Sequence, residues 1–188
     1  MSDLLDVEGV SPWQTVSQRV VFDDGRLRLY VDSVIQPDGR PGTYTYLQVG
    51  TPIVAVVPVD EQGYVHLVRQ WRYPWGHNSW ELPSGGAEAD ELPVDAARRE
   101  LAEEAGLSAT DWSSLAGGYS SATIRSQWHF FLARGLKAVS THRRDGSEHD
   151  LIARRVPIEV AIAAALDGRI THGMSVVGLL RAARRLGI

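Results

Sequence analysis

Residues 85–107 read GGAEADELPVDAARRELAEEAGL, and they put Glu100, Glu103 and Glu104 within about one and a half turns of a single helix. Pro93 suits the first helical turn, where its missing N–H would be unpaired anyway, and Gly106 suits the left-handed residue past the end. The pattern predicts a helix over residues 93–105, with Val94, Ala97, Leu101 and Ala105 on one stripe that can pack on a sheet. The glutamates fall beside that stripe, near its rim. Side chains three and four apart are neighbours on a helix surface, so these carboxylates converge and repel unless protons or cations neutralise them. Two readings follow from the spacing. In one, the patch holds a hard divalent cation such as magnesium, manganese or calcium, which takes oxygen ligands of this kind. In the other, it is a solvated acidic face offset by Arg98 and Arg99.

The chain before this helix reads as strand. Residues 17–50 alternate apolar and polar side chains and are broken by the turn-forming stretches DDGR and PDGRPG, as hairpins are. A continuous apolar run at 53–58 predicts a strand buried on both faces, followed by a turn at 60–63 and an alternating strand over 64–71. Between Trp71 and Gly86 the sequence is loop-rich, with SWEL as a short strand facing the coming helix. After the helix, WSSLAGGYSSATIRSQWHFFLARGL predicts a strand, a glycine turn, a loop, and a second strand centred on Trp128–Ala133. A polar loop, THRRDGSEHD, then precedes two amphipathic helices. PIEVAIAAALDG opens on Pro157 and closes at Gly168, and SVVGLLRAARRL carries its arginines at the C-terminal end, where the helix dipole favours them. The order strands, helix, strands, helices is that of a mixed, layered α+β domain.

Bulk properties narrow the function classes. A chain of 188 residues, 44% hydrophobic and 22% charged, fits one domain with a real core and a small appendage. The N-terminus MSDLLDVEGVSPW is acidic where a secretory leader would be basic, and no apolar run reaches the roughly 18 residues of a membrane span, so a cytoplasmic protein is expected. With no cysteine, any metal must be held by oxygen or imidazole. The net charge of -4 offers no general attraction to nucleic acid or to an anionic membrane, and neither is expected as a partner.

The whole stretch says more than its carboxylates. Gly85, Glu91, Arg99, Glu100, Leu101, Glu103, Glu104, Gly106 and Leu107, at these spacings, resemble the signature of the Nudix hydrolases at every specified position. The resemblance implies a Nudix fold, a mixed β-sheet sandwiched between α-helices, and hydrolysis of a nucleoside diphosphate linked to another moiety with Mg2+ or Mn2+ as cofactor. Carried over by position, Glu100 and Glu104 are metal ligands and Glu103 a further ligand or water-orienting catalytic group. Gly85 permits a tight turn, which brings the Ser84 carbonyl near enough to ligate. Glu91 and Arg99 brace the loop as an ion pair, with Arg99 also a candidate for contact with substrate.

Similarity to the ADP-ribose pyrophosphatases within that family extends outside the signature. It is carried by LVRQWRYPWGHNSWELPSGG, by the hairpin-rich N-terminal region, by HFFLARGL, and by DGRITHGMSVVGLLRAA. It implies a homodimer, with residues 1–48 as an antiparallel β dimerisation element, residues 49–188 as the hydrolase domain, and an active site shared between subunits. Arg72 is then placed near the substrate phosphates and Glu81 at the substrate or metal site. The alternatives are a surface or interface ion pair for Arg72 and a loop-bracing role for Glu81. In these enzymes a loop glutamate positions or deprotonates the attacking water. Here Glu148 fills that role, with Asp150 as its alternative and His149, Arg143 and Arg144 beside it. Trp75 and Trp80 flank the entrance loop as base platforms or as anchors, and Trp128 reads as core.

One departure concerns specificity. Where ADP-ribose hydrolases carry a Pro-Gly segment followed by an acid, this chain has GGYSSATIRSQWHF, with Arg125 in that neighbourhood. The substrate expected is therefore ADP-ribose or a related nucleoside diphosphate sugar, with GDP-mannose or NADH as alternatives. A domain that senses ADP-ribose without hydrolysing it is the reading from another class.

Overall fold

The computed structural model describes residues 9–140 and 150–188. The chain forms two compact units, one running up to Gly50 together with Ser121–Arg125, the other comprising Thr51–Ser120 and Ser126–Ile188.

The first unit is a small antiparallel sheet built on β3 (Leu27–Ile35), which pairs with β1 (Gln14–Ser17), β2 (Val20–Asp23) and β4 (Pro41–Val49). Asp24 makes the first hairpin turn possible, because its Oδ1 accepts the N–H groups of Arg26 and Leu27 at 2.9 and 2.7 Å. Tyr30 and Tyr46 lie opposite each other across β3 and β4, and their rings stack at 4.9 Å. Along β1 and β2 all residues are exposed, including Val16, Val20 and Phe22.

The second unit carries the signature helix, α1, which spans Pro93–Ala105. Pro93 opens it and Gly106 closes it at φ 66°, giving its N–H to the Ala102 and Leu101 carbonyls. Strand β5 (Ile53–Pro58) is central: it pairs in parallel with β10 (Ile124–Ala138) over Trp128–Ala133 and antiparallel with β8 (Ser84–Gly86). The β5 side chains alternate between two cores. Val54 and Val56 pack with Ala96, Ala97 and Leu101 of α1, while Ala55 and Val57 pack with α2 (Ile158–Leu166) and α3 (Gly173–Leu186) through Ile158, Ala161, Leu179 and Ala182. Both faces of β5 are sealed from water, as its uninterrupted apolar run requires. A second sheet places β6 (Tyr64–Arg72) between β11 (Ile152–Pro157) and β7 (His77–Glu81). Helices on both sides of a mixed sheet confirm the expected α+β layering, and among the described residues no helix is long and apolar enough to cross a membrane.

The stretch between the helix and Trp128 departs from expectation. It forms one long strand, β9 (Leu107–Ser121), paired with β10, and the glycines do not break it. The reason is a close approach: a Cβ at Gly117 would stand 2.5 Å from the Trp128 carbonyl oxygen, so the pairing needs glycine there. The reversal waits until residues 122–123.

Candidate active site

Helix α1 and strand β8 build the acidic site together. Of the three glutamates, Glu104 is 2% exposed and Glu100 7% exposed, deeper than a solvated face would leave them, and both lie on the buried side with Ala97 and Leu101. Glu104 Oε2 accepts the Ser84 N–H at 2.8 Å. Glu100 lies over Gly85 so closely that a Cβ on Gly85 would run into its carboxylate, which is why the turn before the helix needs glycine. Ser84 thus meets the carboxylates through its N–H. Arg99 is engaged on every side: Nε and Nη2 donate to Glu91 at 3.1 and 2.9 Å, Nη1 to Glu100 at 2.7 Å and to Glu103 at 3.3 Å, and Nη2 to the Gly86 carbonyl at 2.9 Å. These bonds, led by that to Glu91, hold the guanidinium even more firmly protonated than usual, and the Arg99 hydrogen bond holds Glu91 below the ordinary carboxylate range. Arg99 is the brace of this loop in the structure.

One guanidinium serves Glu91, Glu100 and Glu103, while Glu104 takes a neutral backbone donor. Glu100 and Glu104 are thus carboxylates withdrawn from water and held by hydrogen bonds, as buried charge requires. Among the described residues no three Asp, Glu or His side chains form a ready cation cage; the oxygen donors of Glu100 and Glu104 are of the type a hard divalent cation takes, and the cradle at Gly85 leaves the Glu100 carboxylate the room it needs.

A second ionic cluster sits at the end of β7. Glu81 is 1% exposed and is gripped bidentately by Arg72, at 2.9 Å from Nε and 2.6 Å from Nη2. These residues, picked separately from the sequence, are brought onto each other. Burial pushes the Glu81 pKa up, but the Arg72 hydrogen bonds and nearby positive charge outweigh it, so the carboxyl titrates below its ordinary range. His172, at the N-cap of α3, lies beside the pair with Nδ1 3.1 Å from Glu81 Oε2 and 2.9 Å from Ser175 Oγ. Burial lowers its pKa, and the opposing pull of Glu81 does not restore it, so His172 is neutral near pH 7 and Arg72 is the cation that keeps Glu81 ionised. Ser175, fully buried, accepts the Leu82 N–H at 2.8 Å. The sequence reading missed His172 and Ser175 as site residues. Their signal was a histidine and a serine three apart at the start of a helix whose first two turns are otherwise apolar.

The other expectations fall differently. Glu148, with His149, Arg143 and Arg144, lies outside the described residues. Asp150 is committed to the backbone, its Oδ2 accepting the Trp71 N–H at 3.0 Å. Trp128 packs against the core, edge-on to Phe130. Trp75 stands 5.9 Å from the His172 ring.

Comparison with known proteins agrees with this geometry. Residues 50–173 match the family model described as NUDIX domain. The chain is 32% identical to the ADP-ribose pyrophosphatase of Mycobacterium tuberculosis, over 89% of this chain and 82% of that one. It is 28% identical to the ADP-ribose pyrophosphatase of Bacillus subtilis, over 79% and 80%. Among solved structures it resembles one described as an ADP compounds hydrolase, with TM-score 0.84 and 18% identity over 96% of this chain and 97% of that one, a likeness of fold. The complete signature running from β8 through α1 to the start of β9, the layered sheet that presents it, and these matches lead to one conclusion: the chain belongs to the Nudix hydrolase family and resembles its ADP-ribose pyrophosphatases along most of its length.

Proposed function

We propose that this protein hydrolyses the pyrophosphate of ADP-ribose, or of a closely related nucleoside diphosphate sugar, to a nucleoside monophosphate and a sugar phosphate, using Mg2+ or Mn2+. The observation that carries the proposal is the docking of Glu100 and Glu104, both nearly buried, onto the Ser84–Gly85 backbone, with Glu103 beside them on the same helix. Likeness to ADP-ribose pyrophosphatases over most of the chain supports the substrate class.

Glu100 and Glu104 would hold the cation, with Glu103 and the Ser84 carbonyl as further donors. A divalent ion bound there supplies neutralisation of the pyrophosphate oxygens and a lowered pKa for bound water. The chain supplies the rest. Arg99 fixes the carboxylates against each other, so that they need not reorganise during the reaction. Arg72 offers a fixed cation for a substrate phosphate, held in place by Glu81. Glu148 would position or deprotonate the attacking water. The exposed apolar side chains of β1 and β2, such as Val16 and Phe22, suit residues 1–48 as a dimerisation element. Solution scattering of the full chain should give the mass of two subunits, and a monomer would overturn the shared site.

The decisive test is chromatographic product analysis with ADP-ribose, GDP-mannose, NADH and ATP, each with magnesium or with chelator. Magnesium-dependent AMP and ribose phosphate from ADP-ribose support the proposal. Turnover of another substrate alone would move the specificity elsewhere, and binding of ADP-ribose without turnover would make the protein a sensor.

A further inference from the structure

A cavity of about 330 Å³ opens on the side of the second unit away from Glu81. Strand alternation puts it there. On β7, Trp80 points opposite to Ser79 and Glu81, and on β6, Leu67 and Arg69 point opposite to Val68, Gln70 and Arg72. Register then aligns the cavity wall, since Trp80 pairs with Arg69 while Arg154 of β11 pairs with Leu67. Helix α2 and the turn after it close the other side with Ala161 and Ile170.

The charges around the indole are of one sign. The guanidinium of Arg154 lies 5.0 Å from the Trp80 ring centroid and that of Arg69 lies 5.9 Å from it. Neither arginine has an ion-pair partner among the described residues, and the Arg69 Nε is sealed from solvent without a hydrogen bond. The cavity is lined by the Arg154 guanidinium and not by that of Arg69, and the second guanidinium on the lining, Arg169, is matched by Asp167 through contacts of 2.7 to 3.0 Å. Among the described residues Arg72 and Arg99 are matched in the same way, by Glu81 and Glu91.

The lining also restricts what fits. Apart from the indole and the guanidiniums every side chain on it is aliphatic, so it offers hydrogen-bond donors and no side-chain acceptor. A cation, or the donor groups of a sugar or an amide, would lose bonds to water with no side-chain acceptor to replace them. An organic anion has only acceptors to satisfy and an apolar body to bury. An aromatic ring would stack on Trp80 while its anionic group meets Arg154, and the volume lies at the small end of ligand pockets. The geometry points to an accessory binding site for a small aromatic anion, such as an arenecarboxylate, on the face of β6 and β7 opposite to Glu81 and Arg72.

Calorimetric titration of the full-length protein with 2-naphthoate, and with neutral 2-naphthamide as control, tests this. Saturable binding of one naphthoate per chain is expected, with the amide at least about tenfold weaker because it lacks the charge-assisted bond. Arg154→Gln, an exposed position, should weaken naphthoate by about the same factor. Val160→Trp, which would fill the cavity from its exposed rim, should abolish binding, and circular dichroism of both variants should match the parent protein. Glu104→Gln should bind naphthoate as the parent does, which separates this site from the carboxylates of α1. Absent binding, equal binding of the amide, unchanged affinity in Val160→Trp, or loss of binding in Glu104→Gln would each overturn the assignment.

Discussion

Arg72→Ala tests the electrostatics at the end of β7. The substitution leaves Glu81, 1% exposed, without the bidentate partner that reaches it at 2.6 and 2.9 Å. Removing one member of a buried pair costs about 3–5 kcal/mol, and because the Arg72 side chain keeps 31% of its surface in water the lower end applies, about 3 kcal/mol. For a chain of this length that is a fall in Tm of roughly 6–12 °C. The pH dependence has a definite sign. In the parent protein the Glu81 pKa is depressed, so its contribution to stability is complete above the unfolded value of about 4.3 and is lost as pH falls through the folded value. In the variant, burial is left as the dominant influence and raises the pKa, so Glu81 takes up a proton as pH falls below neutrality and the defect shrinks. His172 adds to this, because losing the Arg72 charge removes one of the influences that depress its own pKa. Urea denaturation near pH 7.5 and near pH 5 should therefore show a larger stability difference at the higher pH. Adding His172→Phe should remove part of the recovery at the lower pH. A difference below about 1 kcal/mol, or one independent of pH, would refute the view that Glu81 is an ionised buried group held by Arg72.

Three further substitutions separate chemistry from scaffold. Glu104→Gln keeps an amide oxygen to accept the Ser84 N–H, so the fold should survive while turnover of ADP-ribose falls by at least about 100-fold; unchanged kinetics would remove Glu104 from the metal site. Glu148→Gln should lower kcat more than it raises KM, and parent-like kinetics would leave water activation to other groups. Gly117→Ala sets a methyl group 2.5 Å from the Trp128 carbonyl and should cost about 1–3 kcal/mol in thermal unfolding, whereas an unaltered Tm would mean that β9 and β10 separate there without penalty.

Local chemistry was legible in the sequence, and long-range pairing was not. Pro93 and Gly106 bound α1 because proline and glycine act on their own residue's dihedral angles, and the apolar run at 53–58 announced a strand without a wet face. In sequence the glycines at 117 and 118 read as a turn, since sequence does not distinguish a glycine that bends the chain from one that lets a neighbouring backbone come close. Arg72 and Glu81 were each picked out, yet their bond depends on the register of β6 with β7, in which Val68 faces Glu81. Ser175 was out of reach for the same reason, because it meets Leu82 across a separation of 93 residues.

That contact belongs to a larger arrangement along residues 81–86. Glu81 is held by Arg72, the Leu82 N–H by Ser175, the Pro83 carbonyl by Val56, the Ser84 N–H by Glu104, and the Gly86 carbonyl by Arg99, while Gly85 yields its side-chain space to Glu100. Each residue of the segment is therefore engaged with a different neighbour, and those neighbours come from β5, β6, α1 and α3. The carboxylates of α1 take their positions from a backbone fixed to the core on both sides rather than from a surface loop. Preorganisation of this kind works only if the support is stiff. Changes within the segment, such as Gly85→Ala, should then lower stability and turnover together, whereas changes at the carboxylates themselves should lower turnover alone. Loss of activity in Gly85→Ala with an unaltered Tm would show instead that Glu100 rearranges freely and that the backbone of β8 does not set the geometry of the site.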